Sequence, residues 1–231
     1  MKQRLRRGKD GLTFLLIAAA LTVGLWFVPY AEVVVYPFRI FVTFIHETAH
    51  ALAALMTGGH VEHIEVAPDG NGLTYTRGGW GLLIASAGYL GTVLYGGWLL
   101  VIGKQARYVK PALAGTTALI TVVTLLLVRP ILSFGFLAGV AMTVALAAVL
   151  YFFTARLVHF FISFLGVESC LNAMFDLKML FLLSARTDAP TDAMNLERAT
   201  LIPAIVWALL WVAISFVILF FALRSYRTAL R

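Results

Sequence analysis

The stretch Phe41-Val42-Thr43-Phe44-Ile45-His46-Glu47-Thr48-Ala49-His50-Ala51-Leu52-Ala53-Ala54-Leu55-Met56 decides how the chain is read. It belongs to an apolar run over residues 38–57, and about 20 apolar residues suffice for a helix to cross a bilayer. Inside that run sit three ionisable groups. Side chains at i and i+4 lie one above the other on a helix, so His46 and His50 can offer both imidazoles to one zinc ion. Glu47, beside the first of them, can take a proton from a metal-activated water and later deliver it to a leaving amine. Such groups at membrane depth are costly unless paired or metal-bound, and they mark a functional site.

The rest of the chain has the same apolar character. Of its 231 residues 61% are hydrophobic and 13% charged, against roughly a quarter charged in soluble domains. This excludes a soluble enzyme, a disordered chain and a disulfide scaffold. A single cysteine, Cys170, allows no internal disulfide and no cysteine zinc cluster. The net charge of +7 gathers at the ends and in short loops, as in Lys2, Arg4, Arg6, Arg7, Lys9, Arg224, Arg227 and Arg231. That distribution fits membrane orientation and not nucleic-acid binding.

Further apolar runs cover residues 12–29, 80–102, 111–128, 131–153, 157–183 (interrupted near Gly166) and 201–223. The expected fold is an all-α polytopic membrane protein of about seven helices (six to eight), with 1–231 forming one membrane-embedded domain. The first run is read as a retained helix rather than a cleaved signal peptide. Basic residues at both ends favour the same side, so with seven runs one must be re-entrant or two must form one tilted unit. Residues 58–79 and 184–200 are polar. Within the first of these, Val61, Ile64 and Val66 precede the turn cluster Pro68-Asp69-Gly70-Asn71-Gly72, and Leu73-Thr74-Tyr75-Thr76 follow. This pattern predicts a short β-hairpin after the zinc helix.

With these parts the chain resembles the site-2 protease family of intramembrane zinc metallopeptidases, in its compact branch without extra soluble domains. The resemblance is carried by His46-Glu47-Thr48-Ala49-His50, then Thr57-Gly58-Gly59, Gly72-Leu73-Thr74-Tyr75 and Gly88-Tyr89-Leu90-Gly91, and more weakly by Asp176-Leu177 and Thr191-Asp192-Ala193. It implies a zinc cofactor and hydrolysis of a peptide bond in or near a membrane segment of another protein. It further implies an integral multi-pass location, expected in a bacterial cytoplasmic membrane. The hairpin, at Thr74 and Tyr75, is expected to accept substrate as an added strand.

A catalytic zinc needs three protein ligands and an open position. The family takes the third from an Asp on a later helix, usually within Leu-Asp-Gly, which this chain lacks. Asp176 is the preferred candidate, because a carboxylate in an apolar helix needs a compensating charge. Glu168, Asn172 and Asp176 form an i, i+4, i+8 stripe, with Asn172 expected to support the ligand or donate to a substrate carbonyl. Asp192 is the runner-up, with helix capping as its alternative role, and Glu62, Glu65 and Asp188 stand behind it. Gly88, Thr92 and Gly96 form a small-residue stripe suited to close helix packing. Tyr89 stands where the family has a Pro and can offer its hydroxyl to substrate in place of the usual donor. The main rival reading is a non-catalytic membrane scaffold or chaperone whose zinc is closed by a fourth protein ligand. A transporter is a weaker rival, since no inverted repeat is seen.

Overall fold

A computed structural model describes residues 2–25, 27–184 and 191–229. In chain order the elements are α1 (Lys2–Leu25), α2 (Glu32–Met56), β1 (His60–Val66), β2 (Gly72–Arg77), α3 (Gly81–Ile102), α4 (Ala106–Leu126), α5 (Phe134–Phe152), α6 (Ala155–Ser184), α7 (Asp192–Thr200) and α8 (Ala204–Ala229). Five helices, α3, α4, α5, α6 and α8, are long and apolar enough to cross a membrane. The expected count of about seven is not confirmed among the described residues. The apolar part of α1, Gly11–Leu25, is shorter, and α2 carries Glu32, Arg39, His46, Glu47 and His50 within its 25 residues. The expected break near Gly166 is also absent, for α6 is one helix of 30 residues. Gly166 serves close packing instead: a Cβ there would meet the Gly96 carbonyl oxygen at 3.2 Å.

Helices α2 and α3 run antiparallel in close contact. His50 meets Ile84, His46 meets Tyr89, and Phe41 meets Tyr95 along their length. The small-residue stripe of α3 divides between two neighbours. A Cβ at Gly91 would lie 2.5 Å from the Ala49 methyl of α2, whereas one at Gly96 would lie 2.7 Å from Cys170 Sγ of α6. Without side chains at these positions the backbones approach closely enough for dispersion and the polar contacts below.

The hairpin is antiparallel, with Val66 opposite Gly72, Ile64 opposite Thr74 and a bulge between Val61 and His63. Its turn is tied by Ala67 N to Asn71 O (2.8 Å) and by Asn71 N to Asp69 Oδ1 (3.0 Å), with Gly70 at φ +87° where only glycine fits easily. The connection between α4 and α5 pairs with the far side of β1, through Ile64 N to Leu127 O and Arg129 N to Ile64 O. Ile64 is consequently fully buried, and among the described residues β2 keeps its outer edge unpaired. Along its length the hairpin is fastened to α2. Tyr36 donates to Pro68 O (2.5 Å), Thr43 donates to Gly70 O (2.7 Å), and Thr74 donates to Glu47.

The closeness of α3 and α6 leads to a stability prediction. Gly96→Leu would drive a side chain onto Cys170 and the Gly166 backbone, and overpacking of this kind costs about 1–3 kcal/mol. Thermal unfolding in detergent should fall by several degrees. Gly115→Ala, inside α4 where a Cβ meets nothing within 4 Å, should unfold no earlier than the parent.

Candidate metal centre

His46 and His50 lie on the face of α2 that α3 covers. His50 is 6% exposed, and its Nδ1 lies 2.6 Å from the Ile84 carbonyl oxygen. A carbonyl can only accept, so Nδ1 carries the proton and the lone pair of the neutral ring is left on Nε2. Opposite stands Gly88, where a Cβ would fall onto Nε2 of both histidines. The Tyr89 ring packs edge-on against His46 at 4.7 Å and stacks on Trp211 at 5.4 Å. The Trp211 indole, itself buried, donates to Ser86 Oγ at 3.1 Å. Trp211 thus holds Tyr89, and Tyr89 holds His46.

The carboxylate that stands beside the two imidazoles is Asp192, the runner-up, and not Asp176, the preferred candidate. Asp192 Oδ2 lies 3.5 Å from His46 Nε2 and 3.4 Å from His50 Nε2. The three donor atoms all lie within 4.8 Å of one another. Burial works against charge on Asp192, but the imidazoles of His50 and His46 outweigh it and hold the carboxyl well below the usual carboxylate range. The physical reason for this placement is local. The cap of α7 is Thr191, whose hydroxyl accepts from Met194 N at 3.2 Å. Asp192 is thereby released from capping and is free to point at the histidines. Ala193 and Leu196 anchor α7 in a cluster with Ala85, Leu177, Leu180, Trp207 and Trp211. Asp176, by contrast, is on the exposed side of α6, while its neighbour Leu177 takes the buried position. It is within electrostatic reach of His46 and Arg39 but outside the three-donor group.

The other expected site residues separate into three places. Asn172 is not turned to the metal-binding group: its amide donates to Glu168 O (2.9 Å) and Oε2 (2.8 Å). The fully buried Glu168 also accepts from Thr22 of α1 at 2.6 Å, so this stripe fastens α1 to α6. Tyr75 stacks on His63 at 4.3 Å on the opposite face of the hairpin from Thr74. Glu62 and Glu65 pair with Arg77 and His63 on the hairpin and take no part in the group. Asp188 lies outside the described residues. Thr74 and Glu47 are together: Thr74 Oγ1 donates to Glu47 Oε2 at 2.6 Å, and Glu47 is 4% exposed.

The donor set fits a divalent metal. An ion with tetrahedral bonds of about 2.0–2.1 Å needs donors about 3.3 Å apart, close to the two nitrogen-to-carboxylate distances found. Two imidazoles and one carboxylate are ligands that such an ion accepts, and the group leaves a fourth position to substrate or water.

Comparison with protein families matches residues 15–222 to the family described as Peptidase M50B-like. The chain belongs to this family. With its five long apolar helices it is an integral membrane protein of the membrane metallopeptidase type. Comparison with curated proteins and with solved structures finds no match.

Three substitutions separate these roles. Asp192→Ala should weaken metal binding at least tenfold in a competition titration of the purified protein, and Asp176→Ala should leave it unchanged. Gly88→Ala, which removes no ligand, should also lose metal because its methyl would occupy the space of both Nε2 atoms.

Proposed function

We propose that the protein is a zinc-dependent intramembrane metallopeptidase, with the metal held by His46, His50 and Asp192 and with Glu47 as general base and then acid. The convergence of three donors beside a buried glutamate carries the reading. Zinc bound there would polarise the scissile carbonyl and acidify a water, the chemistry a three-ligand site with an open position supports. A scaffold would close its metal with a fourth protein ligand, and among the described residues the group has three donors.

Glu47 supplies the proton movements. Its carboxylate accepts the proton of the attacking water and passes it to the leaving amine nitrogen, a role worth about 10²–10⁴-fold in rate. Tyr89 stands against His46 with its ring fixed by Trp211. Among the described residues its hydroxyl has no hydrogen-bond partner, so it can donate to the oxygen of the carbonyl under attack. The substrate is a membrane-spanning or membrane-proximal segment of another protein. A helix conceals its carbonyls in its own hydrogen bonds, so the segment must be extended where it is cut. The unpaired outer edge of β2 offers the main-chain groups that an extended segment requires. The basic chain ends fit an orientation with both on the cytoplasmic side of a bacterial membrane.

Glu47→Gln tests the reading, because it keeps the shape of the side chain and removes its basicity. Metal content should match that of the parent, and cleavage of a panel of co-expressed membrane-anchored reporters should fall at least about 100-fold. Near-parental cleavage by this variant would refute the mechanism.

A further inference from the structure

Thr74 is expected from the sequence to touch substrate, yet its hydroxyl is spent on Glu47. Oγ1 lies 2.6 Å from Glu47 Oε2 and 3.1 Å from the Glu47 main-chain oxygen. Two residues earlier on the same face of β2, a Cβ at Gly72 would lie 2.5 Å from Glu47 Oε1. Both carboxylate oxygens are therefore met by one strand, Oε2 by a donor and Oε1 by the bare backbone of a glycine. The strand is itself held against α2 by Tyr36 on Pro68 and by Thr43 on Gly70. Glutamate has three side-chain torsions, and nothing in α2 alone fixes where its carboxylate points.

We infer that Thr74 is a positioning residue for Glu47, so that the hairpin sets the direction of the proton-carrying carboxylate as well as offering an edge to substrate. The Thr74 hydroxyl reaches both the carboxylate Oε2 and the main-chain oxygen of Glu47, so it ties the end of that side chain to its own backbone. A serine can do the same and a valine cannot. The catalytic part of this inference rests on the peptidase reading, whereas the orientation of Glu47 does not.

Two measurements test it separately. In metal-free protein the carboxylate stretching band of Glu47 can be isolated as the infrared difference between the parent and Glu47→Gln. It should shift in Thr74→Val and return in Thr74→Ser. In the metal-loaded protein with a membrane-anchored reporter, Thr74→Val should lower kcat about 10- to 100-fold, the scale of a misplaced catalytic group, with KM and metal content unchanged. Thr74→Ser should restore most of the loss. If Thr74→Val is not recovered folded, Thr74→Ala removes the same hydroxyl with a smaller side chain and is read in the same way. An unshifted band, a parental kcat, or a raised KM at unchanged kcat would overturn the inference, the last by making Thr74 a substrate contact after all. A shifted band in a protein whose parent cleaves no reporter would leave the positioning role standing and count against the peptidase reading.

Discussion

Two imidazoles can turn toward a common point beside α3 only because α3 has no side chain there. Gly88 faces Nε2 of His46 and His50 so closely that a single methyl would displace them. The same approach brings the Ile84 carbonyl within 2.6 Å of His50 Nδ1, which fixes the proton on that nitrogen and leaves the other for a metal. The packing of α3 on α2 and the electronic state of the ligand are consequences of one contact. Gly91 against Ala49 extends that contact along the helices. In an apolar surround, where water cannot repair a misplaced polar atom, this closeness decides whether the site can exist at all.

What could be read from the sequence follows how local each feature is. The placing of His46 and His50 on one helix face depends only on a four-residue spacing, and the hairpin depends on a turn cluster between short alternating strands. Asp192 depends on something farther away, the docking of a nine-residue helix among Leu177, Trp207 and Trp211. A carboxylate in an apolar run needs a partner, and the fully buried carboxylate of the α6 stripe, Glu168, finds its partners in Thr22 and Asn172, whereas Asp176 lies at the surface of α6 outside the three-donor group. One local signal did favour Asp192. Thr191 before it is a strong N-cap residue, and a helix capped by threonine has no need of the aspartate for that purpose.

The count of spans turns on a related point. Hydropathy finds apolar runs, but the helix that carries the chemistry is diluted by the groups it carries. α2 is well packed, with Phe41, Phe44 and Ile45 almost wholly buried, yet it is not among the five helices that are long and apolar enough to cross a membrane. Its polar groups are met from inside the protein, by α3 on one side and the hairpin on another. An ionisable residue in a membrane helix that has partners of this kind is no longer a simple hydropathy penalty.

The hairpin joins these two themes. It is a polar element that has to lie against a membrane helix, and each of its main-chain groups needs a partner. β1 finds them on both sides, in β2 and in the stretch through Leu127 and Arg129, while among the described residues β2 finds them on one side alone. The side of β2 that faces α2 is occupied by the contact of Thr74 with Glu47, and its outer edge is unpaired. In the function proposed above, an extended substrate segment completing that edge would replace there the helical hydrogen bonds it gives up and would lie beside Glu47, so that recognition and chemistry would share one strand.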